Sequence, residues 1–356
     1  MNRFVISALA VTAASSLTFA NESEEWLTLD KEIETLSTSL PQGGSGFAVS
    51  GWLRTSYLNA SDPFDSGVDV SGFFLDNARI NFDGSVGNFD VHVALEGNEN
   101  FGAYGIYRIP DGAGSVYAID AWADWNFTDT WYLRAGEFRA PFLKDALRDE
   151  HQMIFWQKTV MADTWSMRDQ GVLVGGVFNM FGIWGAIQNG ADDQVDELSF
   201  TLRGEWNLNE GTPDTEGAYG AAEGMGLNVG AAYYDDGSVT DGSAYSIDGQ
   251  FTMGPFYASA ALVGNGDGLG TITPFGTELG MTSFDIDAAF LFAGMWEVAA
   301  RYQSLDDSQD TSVIDIALNA YMEGHDAKFL VQYTTATSDD AVNEIHAIIL
   351  GMTVSV

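Results

Sequence analysis

The chain has 356 residues and no cysteine, and its 14 Lys and Arg stand against 51 Asp and Glu, for a net charge of −37. This balance argues against nucleic-acid binding, which needs a basic surface that displaces counterions. Without cysteine there is no disulfide or thiol chemistry. No linker or composition shift divides the chain after residue 46, so we predict one large domain over residues 47–356.

Residues 1–20 have the features of a signal peptide. Arg3 supplies a basic start, an apolar stretch follows, and small residues near residue 20 form a cleavage site. We therefore predict export. No later apolar run approaches the ~20 residues that a membrane helix needs. A chain of this kind can span a membrane only as a closed β-barrel, which also satisfies the backbone in lipid.

Residues 21–46 differ from everything that follows them. Apolar residues recur there at steps of three and four: Trp26, Leu29, Ile33, Leu36 and Leu40. This spacing predicts a short helix with a coiled-coil seam, followed by a hinge at 41–46. Three interpretations stay open: a periplasmic coil that joins copies of the chain, a single amphipathic helix packed on the barrel mouth, and a frayed segment.

From residue 47 onward, sixteen segments alternate between apolar and polar residues. The clearest is 197–208, where Phe200 and Leu202 face one way and Arg203 faces the other. Successive side chains of a strand point to opposite faces, so each segment is predicted as a strand with one apolar face. The segments lie near 47–58, 72–83, 88–97, 116–127, 131–139, 168–178, 181–189, 197–208, 225–235, 244–253, 256–264, 283–293, 296–304, 313–323, 326–335 and 344–356.

The connections between these segments alternate in length. Those after even-numbered strands are mostly tight turns, whereas those after odd-numbered strands are mostly longer and acidic. Short turns on one rim and long loops on the other are typical of outer-membrane barrels. We therefore predict an all-β fold, a transmembrane antiparallel β-barrel of about 16 strands. One connection breaks the rule, because residues 209–224 lie on the short-turn rim and are long, which we interpret as an insertion or a misplaced strand.

The stretch 118–142 carries a family resemblance. Residues 134–142 read RAGEFRAPF, and residues 167–172 read MRDQGV. Both resemble segments of the phosphate-selective porin O/P family that lie before and after its long third loop. Asp120 and Asp124 fit the same block. The resemblance implies a sixteen-stranded trimeric pore in the bacterial outer membrane, with a periplasmic N-terminal coil and a preference for phosphate. Phosphate-selective members are rich in lumenal lysine, whereas the lysines of this chain are Lys31, Lys144, Lys158 and Lys328.

Charged residues on the polar strand faces are candidates for setting ion selectivity. A charge at membrane mid-depth is costly on the lipid face, so these residues should point into the lumen. Rings of Arg select anions, so one interpretation is an anion-attracting track. The alternative is that arginine pairs with lumenal acids and holds the wall. The predicted pore-lining residues are Arg54, Arg79, Arg134, Arg168, Arg203, Arg301, Asp120 and Asp124.

The connection 140–167 is long and carries apolar residues among its charges. Apolar surface of this extent should be buried. We prefer a fold into the lumen as a constriction over packing at a subunit interface. The charged residues predicted for this constriction loop are Lys144, Asp145, Arg148, Asp149 and Glu150.

These features predict a channel for passive diffusion of small hydrophilic solutes and ions, with a preference for anions or phosphate. The alternatives are a weakly cation-selective general porin and a secreted or surface-attached adhesive β-protein. The four His show no metal-ligand spacing, and no nucleophile motif occurs. We therefore predict no enzyme activity, catalytic residue, cofactor or metal site. The expected partners are outer-membrane lipid, small ions or solutes including phosphate, and the other copies of a homotrimer.

Overall fold

Sixteen antiparallel strands close into one barrel in the computed structural model of the chain. The structure describes residues 46–61, 69–98, 101–102, 109–110, 115–166, 168–190, 198–208, 212–221, 224–237, 242–265, 282–307, 309–338 and 344–356. Each barrel strand pairs with the next in the chain, and the first pairs with the last. In chain order, β1 to β16 are Phe47–Ala60, Val70–Val86, Phe89–Asn98, Ser115–Asn126, Trp131–Arg139, Arg168–Phe178, Phe181–Gln188, Ser199–Leu208, Met225–Asp235, Ser243–Met253, Phe256–Asn265, Thr282–Phe292, Trp296–Ser304, Ser312–Tyr321, Ala327–Thr337 and Ile345–Ser355.

The strand faces alternate as the sequence predicts. On β8, Phe200 and Leu202 are exposed on the outer surface, whereas Thr201 and Arg203 are buried. The same alternation of exposed apolar and buried polar or small residues runs along the later strands, such as β14 and β16. Apolar side chains outside and polar side chains inside suit a strand whose outer face meets lipid. The predicted sixteen-stranded barrel is therefore confirmed.

A belt of exposed aromatic residues lies on part of the barrel, near the rim that carries the short turns. The ring centroids of Phe89 and Trp125 are 6.3 Å apart, and those of Phe256 and Phe290 are 4.9 Å apart. Aromatic side chains concentrate at the two interfaces between lipid and water. The belt consists of Phe89, Trp125, Phe127, Phe178, Phe181, Phe256, Phe292 and Trp296.

The short turns occupy one rim, which we call the turn rim. Four of them contain a glycine with φ between 57° and 74°, a conformation that strains residues with a Cβ: Gly87, Gly254, Gly294 and Gly324. The turns are 87–88, 127–130, 179–180, 254–255, 293–295 and 322–326. Apart from the connection 209–224, the longer connections lie on the opposite rim, so the predicted sorting by length is observed with the same single exception.

The core lies inside the barrel, between the wall and the connection from β5 to β6. This connection contains the helices α1 (Lys144–Leu147) and α2 (Val160–Thr164) and a 3-10 turn at Glu150–Gln152. Its buried apolar side chains pack against small inward residues of the wall. A Cβ at Gly351 would clash with the ring of Trp156. The inward wall alanines of the core are Ala60, Ala232, Ala244, Ala261, Ala289, Ala299, Ala317, Ala336 and Ala347.

The remaining elements are minor. A two-residue ladder joins Phe101–Gly102 to Ile109–Pro110, separate from the barrel sheet. In the part of the chain that the structure describes, no helix is long and apolar enough to cross a membrane. The predicted signal peptide at 1–20 and the predicted helical seam within 21–46 lie outside the described residues, so both stay predictions.

Candidate functional site

The connection 140–166 lies inside the barrel, where inward side chains of several strands bind its backbone. Asn319 of β14 donates a hydrogen bond from Nδ2 to the Ile154 carbonyl at 2.9 Å. On β15, Gln332 Oε1 accepts one from the Trp156 amide at 2.7 Å. Because these side chains face the lumen, the connection folds inward, and its role as a constriction stays a prediction.

Cationic side chains of the wall hold residues 153–157 of this loop. Arg301 Nη1 donates to the Gln157 carbonyl at 2.8 Å, and its guanidinium lies 3.9 Å from the centroid of the Phe155 ring. Arg54 donates to the Trp156 carbonyl and Lys328 to the Met153 carbonyl. All three cations are at most 4% exposed. We call this region, defined by Arg54, Arg301, Lys328 and residues 153–157, the clamped side of the lumen.

Carboxylates neutralise two of the buried arginines around the clamped side, Arg301 and Arg79. Arg301 Nε lies 3.0 Å from Asp287 Oδ1, and its Nη2 lies 3.2 Å from Glu216 Oε1. Arg79 Nε lies 2.6 Å from Glu96 Oε2. Removing one partner of a buried ion pair leaves an uncompensated charge, which costs about 3–5 kcal/mol. These arginines therefore hold the wall and the loop together.

Two arginines fix the middle of the loop through Asp149. Arg79 Nη1 lies 2.8 Å and Arg139 Nη2 lies 3.0 Å from Asp149 Oδ1. Burial would raise the pKa of Asp149, but Arg139 and Arg79 outweigh this effect and hold the pKa at about 2. Nearby, burial lowers the pKa of Lys158 to about 7, and its Nζ donates to the Ala146 carbonyl at 2.9 Å.

The connection between β8 and β9, which is the long connection on the turn rim, also enters the lumen. The amide of Glu216 donates to the Gln152 carbonyl at 2.9 Å, and Glu216 Oε2 accepts from the Ile154 amide at 2.8 Å. The amide of Ala218 donates to Glu297 Oε1 on β13 at 2.6 Å. Residues 212–221 are therefore an insertion that supports the loop from the turn rim, and none of them forms a strand.

A cavity of about 360 Å³ lies between the loop and strands β5 to β8. Both Tyr132 and Arg139 of β5 line it, so it extends along about 23 Å of strand at ~3.3 Å per residue. Two acids, Glu205 and Asp214, are among its lining residues. We call it the basic cavity after its five basic lining residues, which are Arg134, Arg139, Lys144, Arg148 and Arg203.

Lys144 differs from the arginines of the basic cavity. The four arginines each lie within 3.0 Å of a carboxylate oxygen. The side chain of Lys144 has no hydrogen bond or ion pair with any residue that the structure describes. Burial lowers its pKa, and the negative charge of Glu205 opposes this shift. Its ammonium group is therefore available to a solute that enters the cavity.

The predicted pore-lining residues fall into two groups. Arg54, Arg79 and Arg301 are buried under the loop. Arg79 and Arg301 pair with acids there, as the alternative interpretation expects. Arg54 instead donates to Asn77 and to the Trp156 carbonyl. Arg134 and Arg203 line the basic cavity. Whether any of them sets selectivity stays a prediction.

The two predicted aspartates each bind one predicted arginine through two hydrogen bonds. Arg134 binds Asp124 at 2.8 and 2.9 Å. Arg168 binds Asp120 at 3.2 Å through each of two nitrogens and does not line the basic cavity. Of the predicted loop residues, Lys144 and Arg148 line the cavity, while Asp145, Asp149 and Glu150 contact basic residues beside it.

Some contacts were not predicted. Lys328, Asn319 and Gln332 lie on inward strand faces, so the alternation itself was the signal for them. Arg139 lies five residues after Arg134 on the same strand. Because successive side chains alternate between the two faces, Arg139 would face outward in a regular strand. It is the last residue of β5, where it donates to the Leu147 carbonyl at 2.8 Å. The end of the strand therefore directs Arg139 to the loop, which alternation does not predict.

A closed barrel with an inward loop and a charged internal cavity defines a transmembrane channel of the porin type. The family model described as phosphate-selective porin O and P matches residues 61–255, more than half of the chain, so the chain belongs to that family. The family and the fold are those of an outer-membrane channel rather than an enzyme. No curated protein matches the sequence.

Solved porins share the fold at low sequence identity. The anion-selective porin from Comamonas acidovorans is 12% identical, with a TM-score of 0.57, and the match covers 88% of this chain and 100% of that one. The outer-membrane channel DcaP of Acinetobacter baumannii is 12% identical, with a TM-score of 0.58 and coverage of 89% and 99%. OmpF of Salmonella typhi, in a complex with daunomycin, is 10% identical, with a TM-score of 0.62 and coverage of 88% and 98%.

Proposed function

We propose that the chain is a passive diffusion channel for small hydrophilic solutes, with a preference for anions such as phosphate, and that the solutes pass through the basic cavity. The observation that carries this proposal is the lining of that cavity, which holds five basic and two acidic residues. Lysine and arginine rings favour anions in narrow pores. The resemblance between the Comamonas porin, which is anion-selective, and this chain extends to the fold alone.

The net charge of −37 does not contradict an anion preference. Charges on exposed loops are screened within about a Debye length, ~8 Å at physiological salt. In a narrow cavity of low dielectric, nearby charges interact more strongly than distant ones. All four cavity arginines bind carboxylates outside the lining, whereas the Lys144 side chain has no such partner among the described residues. Lys144 is therefore the residue most directly responsible for the preference.

The test is the reversal potential of purified channels in a planar bilayer under a KCl gradient. We expect an anion-preferring wild type and a shift toward cations for Lys144→Gln. Arg168→Gln is the matched control, because it removes the same charge from a residue that does not line the basic cavity. A cation-preferring wild type with the same reversal potential in Lys144→Gln would contradict the proposal and favour a weakly cation-selective general porin, which the net charge supports.

We also propose a homotrimer in the outer membrane, exported through residues 1–20. The trimer rests on the apolar seam between residues 26 and 40 and on the family. Mass measurement in detergent tests it, and a monomer with residues 21–46 intact would contradict it. Membrane fractionation with a heat-modifiable gel shift tests the location. A soluble, unshifted protein would favour a secreted β-protein.

A further inference from the structure

Three carboxylates meet where α1 of the loop approaches the wall. Asp285 and Asp287 are two residues apart on β12, so both point into the lumen. Asp145 lies on α1. One carboxylate oxygen from each of the three lies within 4.8 Å of the others. The cluster therefore joins two elements that are distant in the sequence.

Asp285 is the unusual member of this cluster. Its side chain is 1% exposed, and neither carboxylate oxygen has a hydrogen-bond partner among the described residues. A buried carboxylate without partners is strongly unfavourable, so such a group needs a specific explanation. The same region holds other acids, including Asp287 and Glu216, so Asp285 adds negative charge to an already acidic site.

The other two carboxylates have partners but keep free capacity. Asp145 Oδ1 accepts from Arg148 at 2.6 Å and from Gln250 at 2.9 Å. Its Oδ2 accepts no hydrogen bond from the described residues. Asp287 Oδ1 accepts from Arg301 at 3.0 Å, and its Oδ2 accepts from Ser259 at 3.2 Å. A carboxylate oxygen has two lone pairs, so each of these groups can also bind a cation.

We propose that Asp145, Asp285 and Asp287 bind a divalent cation, and that this cation is Ca²⁺. Calcium binds oxygen ligands at about 2.3–2.6 Å, so two oxygens on one ion are at most about 5 Å apart, as they are here. Mg²⁺ demands octahedral geometry and retains several waters, which suits a buried cluster from two elements less well. Zinc sites normally include His or Cys, and this cluster contains neither.

The ion fixes α1 to β12. Helix α1 contains Lys144, and Arg148 follows it directly, so both basic residues keep their position at the basic cavity. The proposed site does not depend on which solute passes through the channel, and Ca²⁺ binding can be measured without a transport assay.

Calorimetric titration tests the site on the full chain, purified in detergent without lipopolysaccharide, with CaCl2 as the probe. We expect wild type to bind one Ca²⁺ in this cluster, and Asp285→Asn and Asp145→Asn to lose it. Asp90→Asn is the matched control, because Asp90 is an exposed aspartate on β3, outside the cluster. It should bind as wild type does.

A second measurement covers the case in which a variant fails to fold. The thermal unfolding midpoint of the wild-type protein should be higher in CaCl2 than in EDTA, and the same shift should occur in Asp90→Asn. A wild type that binds no Ca²⁺ and has equal midpoints in the two solutions overturns the proposal. Binding that persists unchanged in Asp285→Asn overturns it as well. A proton on Asp285 would then account for the missing partners.

Discussion

The two sides of the lumen use the same residue types in different ways. On the clamped side, Arg54 and Arg301 are nearly inaccessible and donate to loop carbonyls. In the basic cavity, Arg134 has a side chain that is 22% exposed, and Lys144 has no partner among the described residues. All four lie in the lumen, yet two hold the loop and two face the remaining space.

The loop produces this difference. Its residues 154–156 are apolar and pack with small wall residues in the buried core, and the arginines under them hold the loop. Its residues 144–150 are mostly charged and leave space against β5 to β8. Which inward arginine meets a solute therefore depends on how the loop packs across the barrel. The position of that arginine along its own strand does not decide it.

The largest expected effect follows from removing the insertion that supports the loop. Replacing residues 209–224 by an Asn-Gly turn gives this connection the length of the other turns on its rim. Arg301 then loses Glu216, and Glu297 loses the amide of Ala218. We expect a larger single-channel conductance, because ten described residues leave the lumen. The control is Thr215→Ala, which keeps the insertion and changes a residue that does not line the basic cavity. An unchanged conductance would contradict this role.

The next largest effect is expected for Arg301→Met on the clamped side. This change leaves Asp287 and Glu216 without their guanidinium and removes the hydrogen bond to Gln157. Loss of one partner from a buried pair should lower the free energy of unfolding by about 3–5 kcal/mol. Urea unfolding in detergent measures it. The variant Arg301→Lys, which keeps the charge but loses the bidentate geometry, should recover part of the loss. Equal stabilities of Arg301→Met and wild type would show that the clamp is dispensable.

The barrel could be predicted from the sequence because its signals are local. Alternation such as that of residues 199–203 follows from the strand itself, and turn length follows from neighbouring residues. Both patterns can therefore be recognised in the sequence without knowledge of the tertiary structure. The bounds were less exact, since β2 extends over Val70–Val86 rather than 72–83. The strand is longer because its ends pair with β1 beyond the apolar run, as Phe47 does with Gly84.

The site could be predicted only in part, because its contacts join distant residues. The alternation along its strand predicted that Arg301 faces the lumen. Its burial, however, depends on Phe155 and Glu216, which lie far away in the sequence. The acidic cluster shows the same limit. Asp285 and Asp287 are neighbours on one strand, whereas Asp145 reaches them only after the loop crosses the lumen. No spacing rule for metal ligands applies to such a set.

A smaller, pH-dependent effect is expected from His151, whose ring centroid lies 5.2 Å from that of Trp52 on the wall. Burial lowers its pKa from 6.5 to about 4. Between these values the unfolded chain binds a proton that the folded chain does not, so stability falls as the pH falls through this window. The slope is at most about 1.4 kcal/mol per pH unit.

Urea unfolding of wild type and His151→Phe across this window tests the effect. The variant keeps an aromatic ring but cannot titrate, so its stability should vary less with pH. Asp149 loses its contribution at lower pH, between its ordinary value of 3.8 and about 2, and therefore does not obscure the comparison. Identical pH profiles for the two proteins would assign the acid sensitivity of this region to other groups.

The smallest effect on stability is expected for Arg134→Ala in the basic cavity. Arg134 binds Asp124 and lies 3.6 Å from the centroid of the Trp122 ring, but the pair meets solvent. A solvent-accessible ion pair contributes about 1 kcal/mol or less, so this variant should remain far more stable than Arg301→Met. Its reversal potential should nevertheless move toward cations, because Asp124 then faces the cavity without its partner. Low stability with unchanged selectivity would be the reverse pattern, and it would place Arg134 with the clamping arginines.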